Sequence, residues 1–116
     1  MNYDLEKIRV ACLELMGWKV TKHYDPPRWW SPADPPEANT RTIDDLPDPT
    51  RSLDDALPLM EKYGIRLGPP FTYERKWEAY SANHAIECFD ESPALAVCLC
   101  ALRCAGHILA DFEASP

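Results

Sequence analysis

Glycine is scarce in this chain: the 116 residues hold four, at positions 17, 64, 68 and 106. Four so placed cannot build a glycine-rich phosphate loop, which excludes the nucleotide-binding classes that depend on one. Long apolar runs are also missing. The longest, Ala94–Leu102, ends at Arg103, short of the roughly 18 residues that a membrane span needs. Cys-x-x-Cys pairs are absent, and with them the usual paired metal or redox turn. Met1–Tyr3 runs straight into charged, amphipathic sequence, without the apolar stretch of a secretory signal. Basic charge is short too: 12 Lys and Arg against 19 Asp and Glu give a net charge of -7, with a pI near 4.8. Such a surface repels phosphate backbones, so direct nucleic-acid binding is not expected.

Cysteine is not scarce. There are five (Cys12, Cys88, Cys98, Cys100, Cys104). An odd number without a secretory signal reads as reduced thiols in a cytosolic protein. Hydrophobic residues make up 46% of the chain, with four Trp, five Tyr and three Phe, which argues for a packed interior rather than a disordered chain. The length fits one domain, 1–116, because two halves would each be too small to bury a core.

Charge is unevenly placed. Residues 25–55 carry eight acidic and three basic groups. Seven of the twelve prolines lie in 23–51, so this acidic segment is predicted to be irregular, with neither a long helix nor a central strand. Trp29 and Trp30 sit within it and are expected to pin it to the body.

Around that segment the pattern is regular. Leu5, Ile8, Cys12, Leu15 and Met16 recur at helical spacing between a cap at Asn2 or Asp4 and a stop at Gly17. A short strand follows at 18–22. Ser52 with Asp55 three residues on opens a second helix that Gly64 ends. Pro58 is expected to distort it unless its first turn starts later. A strand at 65–67, an alternating strand at 71–80, a turn at 81–83 and a return strand at 84–89 give the best hairpin in the chain. Ser92-Pro93 then starts a last helix, expected to run to about Ala110 and to be buried on several sides, being apolar on nearly every face. The whole reads as α+β.

Each chemical constellation has a plainer alternative. Cys100, Cys104 and His107 at i, i+4 and i+7 would line one helix face as soft metal ligands. The alternative is cysteines serving as small hydrophobes in a crowded core. Cys98 and Cys100 point to different faces and make no redox pair. Asp44, Asp45, Asp48, Asp54 and Asp55 match no calcium-loop spacing and read as a solvated or helix-capping cluster, or as a surface for a basic partner. The tryptophans read as core, or as an interface anchor. A nucleotide stacked near Trp29 or Trp77, beside Arg28, Arg75 or Lys76, is the small-ligand alternative. His23, His84 and His107 have no Ser or Asp at motif spacing.

Several stretches together resemble the phage ABA sandwich domain, a family of small tailed-phage and prophage proteins. They are Leu15-Met16-Gly17-Trp18 after an N-terminal helix, a Trp- and Pro-rich segment holding Trp29-Trp30, Ser52-Leu53-Asp54-Asp55-Ala56, Trp77-Glu78-Ala79, and Ser92-Pro93-Ala94-Leu95-Ala96-Val97-Cys98. The resemblance implies a three-layer α/β/α-type sandwich of three helices around a small, mainly antiparallel sheet. It implies no catalytic residues.

The expectation is therefore a non-catalytic, phage-encoded binding protein of the host cytoplasm, without cofactor or metal. Its partner is a protein with a basic surface, in the manner of an anti-CRISPR or similar defence inhibitor. The expected contacts are Trp29, Trp30, Asp34, Glu37, Asp44, Asp45 and Asp48. Sequestering a nucleotide and metal chemistry on the last helix are the alternatives.

Overall fold

The computed structural model describes residues 2–31, 41–70 and 75–114. Helix α1 (Leu5–Leu15) begins at Asp4, whose carboxylate accepts from the Lys7 N–H at 3.1 Å. It ends where Gly17 turns to φ 97°. There the N–H groups of Gly17 and Trp18 donate to the Glu14 and Leu13 carbonyls at 3.1 and 3.0 Å, satisfying the last turn.

Strand β1 (Lys19–Thr21) follows and pairs antiparallel with β2 (Arg28–Trp30), Val20 opposite Trp29. β2 lies in the segment read as irregular. Pro26 and Pro27 stand just before it, outside the pairing, so their missing N–H groups cost the ribbon nothing. The Asp25–Pro26 peptide is cis. Beyond a 3-10 turn at Ile43–Asp45, α2 (Leu53–Tyr63) starts at Ser52, whose hydroxyl accepts from the Asp55 N–H at 3.3 Å. The helix does not start late to avoid Pro58. It runs through that residue, whose ring is exposed, so the break in the ladder faces water.

Strands β3 (Ile65–Gly68), β4 (Trp77–Ser81) and β5 (Ile86–Asp90) form one antiparallel sheet in that order. Residues 71–74, the start of the predicted alternating strand, lie outside the described residues. From Trp77 on, the expected alternation holds. Trp77, Ala79 and Ser81 face the core with Ile86 and Cys88, while Tyr80, Glu87 and Phe89 are exposed on the other side.

Helix α3 (Pro93–Cys104) begins at Ser92, whose hydroxyl accepts from the Leu95 N–H at 3.2 Å. It stops well before Ala110. Gly106 takes φ 94°, and the N–H groups of Gly106 and His107 bond back to Arg103 and Leu102 at 3.0 and 2.9 Å. A separate 3-10 turn, Leu109–Phe112, then tucks Phe112 into the core. The chain ends meet there: Asp4 N–H donates to the Phe112 carbonyl at 2.8 Å.

The architecture is α+β, with three helices and two small antiparallel sheets among the described residues. Val97 to Leu102 are all buried, so α3 is wrapped as its sequence requires: the three-stranded sheet on one side, α2 and α1 on others. α1 is shared. Ile8 and Cys12 enter the main core, whereas Leu13 joins Trp29 and Leu46 in a second cluster under the β1–β2 ribbon. Of the helices, α1 thus joins the two clusters. Among the described residues, none is long and apolar enough to cross a membrane.

Candidate functional site

The acidic turn is fixed from α1. Arg9 reaches across so that Nη2 donates to the Ile43 and Leu46 carbonyls at 2.6 and 2.7 Å and Nε to the Pro47 carbonyl at 3.2 Å. One guanidinium therefore bonds three carbonyls of the turn, of which Ile43 also accepts from the Leu46 N–H at 3.1 Å. Asp48 completes the fastening. Its carboxylate accepts from the Thr50 N–H and hydroxyl, and lies 3.9 Å from Arg9 Nε and 3.7 Å from Arg51 Nε. The Asp48 N–H in turn donates to Asp55 at 2.9 Å, tying the turn to the first turn of α2.

The expected contact residues now separate. Asp44 and Asp45 are exposed, and no ion pair among the described residues neutralises them. Asp48 is spent on the turn's own structure. Trp29 is 3% exposed and packs with Leu13 and Leu46. It is an anchor, buried too far for a nucleotide to stack on its face. Trp30, the next residue along the strand, is half-buried on the opposite side across from Lys19. It borders a shallow groove with Glu14 and Trp18, near the C-terminal end of α1. Asp44 instead borders a cleft with Leu5, Glu6 and Arg9. Eight residues of helix, about 12 Å, separate the two places. Asp34 and Glu37 lie outside the described residues.

Between those places runs a groove of about 350 Å³ lined by Val10, Val20, Pro26, Pro27, Trp29 and Ile43, with Glu6 and Lys22 also in its wall. It is apolar, and the acidic turn forms one of its banks through Ile43. Composition did not reveal this groove, because its walls come from α1, the ribbon and the turn, which only folding brings together.

The cysteine face disperses. α3 ends at Cys104, so His107 leaves the helix line and packs edge-on against Phe112 at 5.5 Å. Among the described residues no group of three His, Cys, Asp or Glu is placed to hold a metal. Cys98 is buried and donates to the Pro49 carbonyl at 3.1 Å, holding the proline segment to α3. Its hydrogen bond with Cys12, and burial, push its thiol far up from the ordinary range. Cys88 behaves differently. A hydrogen bond from Cys100 and the Arg103 guanidinium lower it to about 7 despite its burial. Cys100 is correspondingly raised.

One pairing with the look of a nucleophile and its base also appears. Ser81 Oγ lies 3.0 Å from His84 Nδ1. However, Ser81 is fully buried and its hydroxyl donates to the Tyr63 carbonyl at 2.7 Å. The proton a base would remove is already committed to holding β4 against the end of α2. The pair is a structural turn, because a nucleophile needs both a free hydroxyl and an approach for substrate.

No family model, no curated protein and no solved structure matches this chain.

Proposed function

We propose that the protein is a small, phage-encoded, non-catalytic binding protein of the host cytoplasm that acts by occupying a basic surface of a protein partner. Inhibition of a host defence system, as by an anti-CRISPR, is its concrete form. The phage assignment rests on the sequence resemblance. The observation that carries the binding role is the pair Asp44–Asp45, exposed and without an ion pair among the described residues, on a turn that Arg9 and Asp48 hold in place. Acids presented on a pre-ordered turn lose little entropy on docking. They also attract a basic partner from a distance, most strongly at low salt. The apolar groove beside them supplies the dry centre that an interface needs inside its polar rim.

The test is capture of partners from host lysate, followed by affinity measurement with Asp44→Lys/Asp45→Lys. Placing like charges against a basic surface costs enough to weaken binding on the order of a hundredfold. Undiminished affinity in that variant eliminates the turn as the contact.

A further inference from the structure

The least explained feature of the core is the pair Cys88 and Cys100. Cys88 sits on the inward face of β5 opposite Ala79, with Cys100 on the α3 surface that covers it. The Cys100 thiol also contacts the Ile86 carbonyl at 3.7 Å, which holds it over the same strand. Arg103, one helical turn further along α3, folds back so that Nη1 donates to the Glu87 carbonyl at 2.9 Å and reaches the Cys88 sulfur at 3.7 Å. Packing alone gives no reason to aim a guanidinium at a buried sulfur.

We propose that Cys88 and Cys100 form an oxidisable dithiol, in which Cys88 is the nucleophilic sulfur, Arg103 holds it as thiolate, and Cys100 resolves it to an intramolecular disulfide. Both sulfurs are buried, but Cys88 lies directly beneath Arg103, whose own side chain is exposed. A thiolate beside a cation is the reactive form of cysteine. The Cys100 thiol donates to the carbonyl of Ile86, the inward-facing residue before Cys88 on the same strand, which places the resolving thiol over its target.

Peroxide is the oxidant. The Cys88 thiolate attacks one peroxide oxygen, the O–O bond breaks, and hydroxide leaves with Cys88 as sulfenic acid. Hydroxide takes the Cys100 proton and becomes water. The Cys100 sulfur then attacks the Cys88 sulfur, the S–O bond breaks, and the departing hydroxide takes a proton from solvent as a second water. Two electrons pass from the sulfurs to peroxide, and one S–S bond joins β5 to α3. Cys104, on the next turn of α3, also hydrogen-bonds Cys100, so a Cys100–Cys104 link is the competing product.

Mass mapping of the reduced protein after peroxide treatment at neutral pH tests this. The expected result is loss of two of the five free thiols, with a Cys88–Cys100 linked peptide that dithiothreitol releases. In Cys100→Ala the reaction should stop at a sulfenic acid that dimedone traps on Cys88. Arg103→Gln should slow it about tenfold, since fewer Cys88 sulfurs are ionised at neutral pH. Because wild-type mapping needs no variant, a misfolded mutant does not blunt the test. First oxidation at Cys104, a Cys100–Cys104 link, or five intact thiols would each overturn the assignment.

Discussion

Arg9 leaves the middle of α1 and ends among carbonyl oxygens of a segment more than thirty residues away, which no pattern in α1 announces. Its side chain is 17% exposed, so the bonds it makes are only partly screened. Removing it strips a donor from each of the Ile43, Leu46 and Pro47 carbonyls and a cation from beside Asp48. Arg9→Ala should lower stability by about 2–3 kcal/mol in urea unfolding. Arg9→Lys should recover less than half of that, because an ammonium lacks the planar fork that spans three acceptors. Cys88 makes a second residue-scale prediction. Its thiol is lowered to about 7 in the fold, below the ordinary unfolded value near 8.5. The folded state therefore favours the thiolate. That contribution is complete above the unfolded value, shrinks as pH falls, and is gone below about 7. Thermal melts under reducing conditions should show the gap between wild type and Cys88→Ser widening from pH about 6.5 to about 8.5. At still higher pH the raised Cys98 and Cys100 work the other way, since folding then holds back protons that the unfolded chain releases. A gap that is flat or narrows across the lower window would remove Arg103 as a thiolate partner.

Helix ends divide what could be read locally from what could not. Ser52, and Ser92 with Pro93, start helices where the sequence places them, because a cap needs only a hydroxyl and the N–H three residues on. The end of α3 was misread. Ile108, Leu109 and Ala110 continue an apolar pattern after Gly106, and nothing local says that the glycine will take a left-handed turn. Gly106 gives a clean measurement of that turn. A Cβ there would meet nothing within 4 Å, so Gly106→Ala carries only backbone strain, about 1 kcal/mol in chemical denaturation. Gly64→Ala should cost more, since its Cβ would lie 3.0 Å from Asn83 Nδ2. Equal losses would mean that the Asn83 side chain simply swings aside. β2 was missed for a related reason. A three-residue strand carries too little alternation to register, and the buried seat that Trp29 finds against Leu13 of α1 exists only once the chain is folded. The β4–β5 hairpin was legible because its alternation spans two strands facing one buried helix.

At the scale of the whole molecule, the acids fall into two kinds that composition counts alike. Asp48 and Asp55 are consumed in holding the turn, whereas Asp44 and Asp45 add to the net charge of -7 without stabilising contacts among the described residues. The site was therefore half legible. The acidic segment was visible as a run of charge, but only Arg9 and Thr50, far apart in sequence, decide which of its carboxylates point outward. This division makes the binding test interpretable. Changing Asp44 and Asp45 to Lys moves the net charge from -7 to -3, which relieves self-repulsion but brings two cations near Arg9. These effects oppose each other, and both fade with salt. The variant should fold with a free energy within about 0.5 kcal/mol of the parent in 0.15 M salt, as surface substitutions do. The neutral pair Asp44→Asn/Asp45→Asn should match the parent more closely still, since it adds no cation. Binding lost in a protein that unfolds at the parent's urea midpoint would then belong to the charges themselves. If the Lys variant unfolds much earlier while the Asn variant does not, Arg9 is closer to the outward acids than the cleft geometry implies, and the Asn pair becomes the proper probe of the surface.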